Sequence, residues 1–220
     1  VISIYQNINN KDSSLVLGPK DIKLYGEDKI IDYIGEYKFL ISPKSFFQVN
    51  STQTEILYNK VVEYLDLKGD ETRVDLYCGI GTIALYISKY AKKVYGVEVV
   101  KEAIEDAKEN LKLNNVDNVE FIQGKSEDIL PKLNAKSIKI DAIIVDPPRK
   151  GLDKILIDSI AKANPKKIVY VSCNPATLAR DLAYLQEKEY SIEKVQPVDM
   201  FGMTVHVECV ILMQKMIFQI

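Results

Sequence analysis

Hydrophobic and polar residues alternate in short runs over residues 1–50, and turn residues separate the runs. The runs are, in order, VISIYQN, SLVLG, DIKLYG, KIIDYIG and YKFLIS. Glycines at Gly18, Gly26 and Gly35 mark the breaks between them. Alternation at a period of two with such breaks is typical of strands joined by tight turns. Residues 1–50 are therefore predicted to form an antiparallel β segment with one buried face.

Beyond residue 50, apolar residues recur at helical spacing in some segments and run continuously in others. Two segments show the helical spacing, TQTEILYNKVVEYLDL at Ile56, Val61, Tyr64 and Leu65, and KEAIEDAKENLKLNN at Ala103, Ile104, Ala107 and Leu111. Further helices are predicted in GTIALYISKYA, LDKILIDSIAKAN and ATLARDLAYLQEKE. Strands are predicted in TRVDLY, KKVYGVEV, VEFIQG, DAIIVD, KIVYVSC and VHVECVILMQ.

Apolar strands that alternate with amphipathic helices predict an α/β fold of the Rossmann-like type. Its sheet should be mostly parallel, with helices on both faces. We expect two domains, a β segment over 1–50 that is the remnant of a central domain, and the α/β domain over 51–220. Sheets of this kind bind ligands beyond the carboxyl ends of their strands. Functional residues are therefore expected just after strands.

Composition narrows the setting of the protein but not its partners. The chain has 220 residues, with 29 Lys and Arg against 31 Asp and Glu, so its net charge argues neither for nor against a nucleic-acid partner. Its three cysteines are odd in number, far apart and never in a CxxC pair, which disfavours disulfides and a cysteine metal site. No apolar run is long enough to span a membrane, and we expect a soluble cytoplasmic protein. The chain begins at Val1, and we expect it to be trimmed at its N-terminus.

A glycine loop between a strand and a helix, VDLYCGIGTIAL, carries the first sign of a ligand. Gly79 and Gly81 allow close backbone approach and positive φ, and Glu98 ends the next strand, where a carboxylate can accept ribose hydroxyls. The alternative is a tight turn that needs glycine only for packing. The pattern also fits a relaxed dinucleotide fingerprint, so NAD and S-adenosylmethionine both remain candidates. Glu127 and Asp128 in VEFIQGKSEDIL, near the expected adenine, favour the second.

The turn DPPR closes the strand DAIIVD. Proline fixes φ and pushes its predecessor toward extended geometry, so Asp146 is held at the strand tip with little freedom. One interpretation is an ordinary strand-ending turn, and the other is a carboxylate placed at the reactive end of a cofactor. In enzymes that methylate amines the related turn continues with Tyr or Phe. Arg149 takes that place here and argues against amine chemistry.

The stretch VSCNPATLARDL places a cysteine where a buried strand is followed by a helix. Asn174 is a good N-cap and Pro175 suits the first helical position. Cys173 would then lie beside the free N–H groups of the helix, which favour a thiolate and hence a nucleophile. The alternative is a small core thiol, and we assign Cys78 and Cys209 to that packing role.

The closing segment VHVECVILM places a carboxylate at the start of an almost wholly apolar strand. Glu208 there is costly to bury unless it is paired or used in chemistry. His206, the only histidine, shares its face and is expected to support the turn, not to catalyse.

Taken in order, FFQVN, DLYCGIGT, GVE, DPPRKG, SCNPATLARDL and HVEC resemble the RNA uracil-5 methyltransferases, which make 5-methyluridine in rRNA or tRNA. The resemblance covers about residues 40–213 and implies a class I methyltransferase domain over 51–220. It implies that Cys173 is the nucleophile and Glu208 the base that removes the C5 proton. By the same likeness, the residues lining the S-adenosylmethionine site are Gln48, Tyr77, Gly79, Glu98 and Asp146. One departure is Gly202, where many members have proline, so the loop before Glu208 is expected to be looser.

The resemblance also implies ligands and partners. S-adenosyl-L-methionine would be the cofactor, S-adenosylhomocysteine its product, and an rRNA or tRNA the partner of a monomeric enzyme. We expect no metal in this chain; an RNA-binding barrel or an iron–sulfur cluster would belong to a segment ahead of it. Competing hypotheses are a non-catalytic S-adenosylmethionine- or RNA-binding module, a nicotinamide-dependent oxidoreductase, and a cytosine-5 enzyme, whose cysteine lies in a Pro-Cys motif.

Overall fold

The computed structural model describes residues 1–10, 17–66 and 68–216, which contain six helices and eleven strands. The helices are α1 Ser51–Leu65, α2 Thr82–Ser88, α3 Lys101–Leu113, α4 Ser126–Ala135, α5 Lys154–Ala163 and α6 Pro175–Glu187. The strands are β1 Ser3–Ile8, β2 Lys20–Gly26, β3 Ile30–Ile34, β4 Tyr37–Ile41, β5 Thr72–Leu76, β6 Lys93–Glu98, β7 Val119–Gln123, β8 Ala142–Val145, β9 Lys167–Ser172, β10 Tyr190–Val198 and β11 Glu208–Lys215.

Seven strands form the central sheet, in the order β10-β11-β9-β8-β5-β6-β7. The strands from β9 to β7 in that order run parallel, whereas β11 is antiparallel to both β9 and β10. One apolar cluster contains side chains of α1, α2 and α3, and a second contains side chains of α4, α5 and α6. Helices therefore cover both faces of the sheet, and the predicted fold class is confirmed.

The N-terminal β segment consists of two antiparallel hairpins, β1–β2 and β3–β4. Side chains of the second hairpin, Ile34, Tyr37 and Phe39, belong to the same apolar cluster as α1 and α2. Of the strand predicted in SLVLG, residues 14–16 lie outside the described residues, and Leu17 and Gly18 precede β2 without belonging to a strand. The division into two domains at residue 50 stays a prediction.

Two asparagines of α3 pair with the edge of β4 as a neighbouring strand would. Asn110 accepts from the N–H of Leu40 at 2.7 Å and donates to the carbonyl of Leu40 at 3.4 Å. Asn114 does the same for Lys38, at 2.9 and 2.7 Å. Asn110 also donates to the carbonyl of Ile80 in the glycine loop at 3.3 Å. Because side-chain amides satisfy these backbone groups, α3 joins the hairpin to the glycine loop.

Two elements of the structure were not predicted from the sequence. The helix α4 contains Pro131, which removes one N–H donor from its interior. The edge strand β10 buries only its terminal residues, Tyr190 and Val198, so it lacks the apolar pattern that marks its neighbours. The buried residues of α4, Ile129, Leu130 and Leu133, do follow helical spacing, whereas β10 depends on its pairing with β11.

One predicted helix face and one predicted strand boundary differ from the structure. Ile56 of α1 is 48% exposed, and the helix buries Leu57 and Tyr58 instead. The last strand was expected from residue 205, but β11 begins at Glu208 and residues 205 and 206 are exposed. Pairing with β10 starts at Glu208 and pairing with β9 starts at Cys209, which explains the later start of β11.

Candidate active site

Strand register brings the predicted nucleophile and base together. Cys209 of β11 pairs with Ser172 of β9 in an antiparallel register, so Glu208, just before Cys209, and Cys173, just after Ser172, lie at the same end of the two strands. Cys173 also interacts electrostatically with Glu208 and Asp146, which shows that the three groups are neighbours. Asp146 follows β8, the parallel neighbour of β9 on its other side. All three predicted groups therefore lie at one edge of the sheet.

The start of α6 has the local structure expected from its sequence. Asn174 is the N-cap and accepts from the N–H of Ala176 at 3.1 Å, and Pro175 opens the helix. The hydroxyl of Ser172 accepts from the N–H of Asn174 at 3.1 Å. These bonds fix the backbone on both sides of Cys173, which is partly buried.

The electrostatics of the site disfavour the thiolate expected at Cys173. Burial, then the charges of Glu208 and Asp146, raises the pKa of the Cys173 thiol, and the charge of Arg149 offsets only part of this. A thiol with a raised pKa releases its proton only at higher pH or to a neighbouring base.

The two carboxylates share this unusual environment. Burial raises the pKa of Glu208 to about 7, and the nearby charge of Arg149 lowers it in part. Burial and the charge of Glu208 raise the pKa of Asp146 to about 7. Both groups are consequently close to half-protonated at neutral pH, the range in which a carboxylate can accept and release protons.

The glycine loop has the conformation that its sequence predicts, but Gly79 and Gly81 are required for different reasons. Gly79 has φ of 54°, and a Cβ built on it would meet nothing within 4 Å, so open space lies above it. Gly81 has φ of 85°, and a Cβ there would lie 2.3 Å from the ring of Phe121. Gly79 therefore leaves room for a ligand, whereas Gly81 permits close packing.

Glu98 accepts hydrogen bonds from three backbone N–H groups. Gly79 donates to its Oε2 at 3.2 Å, and Val99 and Val100 donate to its Oε1 at 2.8 and 2.9 Å. A carboxylate has about four accepting directions, so Oε2 retains one for a ligand hydroxyl. The carboxylate is thereby held rigidly beside the glycine loop.

Two adjoining clefts run along this edge of the sheet, and Tyr77 lines both. The first is lined by Phe46, Phe47, Gln48, Tyr58, Tyr77, Cys78, Gly79, Ile80, Thr82, Ile83 and Asp146. The second is lined by Tyr77, Glu98, Val99, Gly124, Lys125, Ser126, Glu127, Lys150 and Asp153. Each of the five residues predicted to hold a cofactor lines one cleft or both.

The segment that carries Gln48 is fixed at both ends. Ser45 donates to Asp106 of α3 at 2.5 Å. Asn50 is the N-cap of α1 and donates to the carbonyl of Met200 at 3.2 Å. Gln48 lies between these anchors and is buried, so it faces the first cleft without a strand or helix of its own.

Three residues of this region were missed from the sequence. Tyr58 of α1 and Thr82 of α2 line the first cleft, and their hydroxyls are 2.7 Å apart. Asp75 of β5 is fully buried and has no hydrogen-bond partner for either carboxylate oxygen among the described residues, although the N–H of Ala84 favours its charged form. Burial raises the pKa of Asp75 well above its usual value. The sequence did offer a signal for Asp75, because a carboxylate inside an apolar strand just before a glycine loop is unusual.

Other sequence interpretations have mixed outcomes. Glu127 lines the second cleft, whereas Asp128 is exposed and does not. His206 is exposed, and its ring lies edge-on to Phe201 in the loop before β11, in keeping with a supporting role. Cys78 and Cys209 are buried free thiols, as predicted for packing residues.

Among the residues that the structure describes, no group of three or more His, Cys, Asp or Glu side chains could hold a metal ion. None of the helices described is long and apolar enough to cross a membrane.

The strand order, the helices on both faces and the glycine loop after β5 define the Rossmann-like fold of class I methyltransferases. Within that class the chain can be placed more closely. It belongs to the tRNA (Uracil-5-)-methyltransferase family, whose model matches residues 27–216.

Similar proteins agree with this placement. An uncharacterized RNA methyltransferase of Clostridium tetani is 62% identical over 213 residues, which are 97% of this chain and 46% of that protein. One of Clostridium acetobutylicum is 58% identical, over 96% of this chain and 46% of its own length. The chain therefore spans about half the length of the curated relatives that it matches.

A solved structure resembles the chain in fold and sequence. It is the crystal structure of Pyrococcus abyssi tRNA (uracil-54, C5)-methyltransferase in complex with S-adenosyl-L-homocysteine. The TM-score is 0.80 at 37% identity, and the alignment covers 96% of this chain and 50% of the Pyrococcus chain.

Proposed function

We propose that this chain transfers a methyl group from S-adenosylmethionine to C5 of a uridine in RNA, through a covalent bond between Cys173 and C6. The observation that carries the proposal is the register that brings Glu208 and Cys173 to the same end of β11 and β9, where both interact with Asp146, a residue of the first cleft. The family and the Pyrococcus enzyme support uracil C5 as the target. Nothing comparable supports the nicotinamide alternative.

The residues present fit S-adenosylmethionine. The space above Gly79 lets a ligand approach the backbone of the loop closely, and Glu98 retains one acceptor for a ribose hydroxyl. Gln48, Tyr77 and Asp146 complete the walls of the clefts. When bound, this cofactor supplies an electrophilic methyl group.

Covalent catalysis solves a problem of reactivity at uracil C5, which is a poor nucleophile in the free base. The sulfur of Cys173 bonds to C6, and the electrons of the C5–C6 double bond move into an enolate that makes C5 nucleophilic. After C5 has gained its methyl group, Glu208 removes the C5 proton. The Sγ–C6 bond then breaks, the ring double bond returns and the thiolate is released.

The raised pKa of the thiol means that the scheme needs an initial proton transfer. Cys173 must lose its proton before it attacks, and Glu208 and Asp146 are neighbouring acceptors with pKa of about 7. Glu208 has to be a carboxylate when the C5 proton leaves. Asp146 is therefore the better acceptor for the thiol proton.

The target uridine has to reach this edge of the sheet as an unstacked base. Bases inside an RNA helix are inaccessible to such chemistry, so a loop nucleotide or a flipped one is required. We propose an rRNA or tRNA substrate, and the Pyrococcus enzyme makes tRNA the first to try.

A methyl-transfer assay tests the proposal. The purified protein is mixed with methyl-tritiated S-adenosylmethionine and unmodified tRNA or rRNA transcripts, and the RNA is digested to nucleosides. We expect label in 5-methyluridine with the wild type and with Cys209→Ala, a matched cysteine control. Cys173→Ala should give none. Glu208→Gln should stall as a protein–RNA adduct visible on a denaturing gel.

Two results would contradict the proposal. Equal labelling by Cys173→Ala and the wild type would exclude the covalent route. Label in a nucleoside other than 5-methyluridine would exclude C5 of uridine as the target.

A further inference from the structure

The turn at residues 149–152, after β8, is tied to the beginning of α6 by side chains that the proposed reaction does not use. Asn174 Nδ2 and Thr177 Oγ1 each donate to the carbonyl of Arg149 at 3.0 Å. Both donors belong to the first turn of the helix that follows Cys173. The backbone of Arg149 is thus attached directly to the segment of the nucleophile.

A second set of bonds comes from the next turn of α6. Arg180 Nη2 donates to the carbonyls of Lys150 at 2.8 Å and Leu152 at 3.3 Å. We call the turn 149–152 and its partners on α6 the turn–helix clamp. It satisfies three carbonyls and one N–H of an irregular segment that has no strand or helix partner of its own.

Asp181 lies at the centre of the clamp and is 1% exposed. Its Oδ2 accepts from the N–H of Leu152 and the hydroxyl of Tyr170, both at 2.7 Å. Its Oδ1 accepts from Nε and Nη2 of Arg180, at 2.9 and 2.7 Å. One carboxylate therefore joins the turn, β9 and α6, and bonds to a charged acceptor are about twice as strong as neutral ones.

Gly151 makes this arrangement possible. Its φ is 74°, and a Cβ there would lie 2.4 Å from Asp181 Oδ2 and 2.7 Å from Arg180 Nη2. The turn approaches Asp181 so closely that only a residue without a side chain fits. The clamp thus depends on residues at both of its ends, in the turn and on the helix.

We propose that Asp181 is a positioning residue for methyl transfer, because it holds the turn after Asp146 against the helix that follows Cys173. This inference rests on the proposed function and deepens it. The nucleophile and the DPPR carboxylate lie on neighbouring strands, and the clamp is the side-chain link between the segments that follow them. A misplacement of about 1 Å can lower a rate about 100-fold.

The first experiment compares Asp181→Asn and Arg180→Ala with Asp158→Asn. Asp158 also joins α6 to a neighbour through a carboxylate, but at the far end, where it accepts from Tyr184 and Lys188. We expect kcat to fall about 10- to 100-fold in the clamp variants, with KM for RNA and affinity for S-adenosylhomocysteine within about twofold. The control should keep the wild-type kcat. Arg180→Ala changes an exposed side chain and should fold even if Asp181→Asn does not.

The second experiment measures the reactivity of the Cys173 thiol, which depends on its surroundings and does not require methyl transfer. Alkylation of Cys173 by iodoacetamide is followed against pH by peptide mass spectrometry. We expect the midpoint to shift in the clamp variants, since the distances from the thiol to Glu208, Asp146 and Arg149 all change when the turn and α6 separate. Rescue is expected in part with Arg180→Lys, which retains the charge but not the fork of donors.

The outcomes separate the two proposals. A wild type that alkylates normally but transfers no methyl group would overturn the proposed function and leave the clamp standing on the alkylation result. Clamp variants that match the wild type in both kcat and alkylation midpoint would overturn the role of Asp181. Equal losses in Asp158→Asn would also overturn it, because they would reflect general loosening of α6.

Discussion

Cys173 shares its surroundings with two carboxylates and one guanidinium, and this balance decides its reactivity. Burial and the charges of Glu208 and Asp146 raise the pKa of the thiol, while the charge of Arg149 lowers it. A protonated thiol reacts slowly with oxidants and alkylating agents. In the proposed reaction the thiol therefore has to give its proton to a neighbouring group before it attacks.

The charge of Arg149 should be visible in the pH dependence of the reaction. Removing it as Arg149→Met raises the pKa of Glu208 and of Cys173, since the guanidinium lowers both. Both groups must lose a proton to act, so activity rises with pH, with a first midpoint near the Glu208 pKa of about 7. The variant should shift the kcat/KM profile to higher pH. Lys139→Met, which removes an exposed cation ahead of β8, serves as the control, and an unshifted profile in Arg149→Met would contradict the prediction.

Asp75 is predicted to destabilise the ligand-free fold at neutral pH. Its pKa is raised on folding, so the folded state binds a proton that the unfolded state has lost, and stability falls as pH rises above about 4. Asp75→Asn should raise the free energy of unfolding by about 1–3 kcal/mol at pH 7.5. The gain should vanish near pH 4.

Urea unfolding at the two pH values measures this effect. Asp117→Asn provides an exposed acid for comparison and should change stability little at either pH. A loss of stability in Asp75→Asn at pH 7.5 would show that the carboxylate has a favourable partner in the ligand-free protein.

At the scale of elements, continuous apolar runs predicted the strands well. The residues of β8 are all fully buried, and a run of that kind has few alternatives to a central parallel strand. The strand β10 could not be predicted because only its two ends are buried, and its pairing comes from β11. Ile56 was assigned to the wrong face of α1 because helical spacing alone does not say which of two adjacent apolar residues turns inward.

The amide pairing between α3 and β4 should contribute both to stability and to the cofactor site. Asn110→Ala removes bonds to Leu40 and Ile80 and leaves buried backbone groups unsatisfied, which costs about 2–3 kcal/mol. Affinity for S-adenosylhomocysteine should fall as well, because Ile80 belongs to the glycine loop. Asn134→Ala in α4 is the control. Calorimetric titration together with urea unfolding checks both effects, and a change in stability without a change in affinity would disconnect α3 from the loop.

For the molecule as a whole, the convergence of the candidate site residues follows from the fold, whereas the electrostatics of the site do not. The order of strands places every residue that follows a parallel strand at one edge, so Tyr77, Glu98 and Asp146 converge once the fold is known. The protonation of Cys173 was not predictable, since Glu208 is far away in sequence and meets it only through β11. The missing partner of Asp75 likewise depends on how the whole interior packs.

Cofactor binding should stabilise the entire domain. At S-adenosylhomocysteine concentrations of about 100 times Kd, a ligand adds about 2.7 kcal/mol, which raises Tm by about 5–10 °C for a domain of this size. Gly79→Ala fills the open space in the cleft and should abolish the shift. Gly69→Ala is a matched control, because Gly69 also has positive φ and open space but lies outside the clefts. Thermal unfolding with and without ligand distinguishes them, and equal shifts in the two variants would contradict this placement of the cofactor.

Backbone pairing holds Glu208 opposite Val198 in β10, one residue from the Cys209–Ser172 pair with β9. The preceding loop, which includes Gly202, contributes nothing to that ladder. The position of this carboxylate is therefore set by the sheet, and a change of sequence in the loop can leave it where it is.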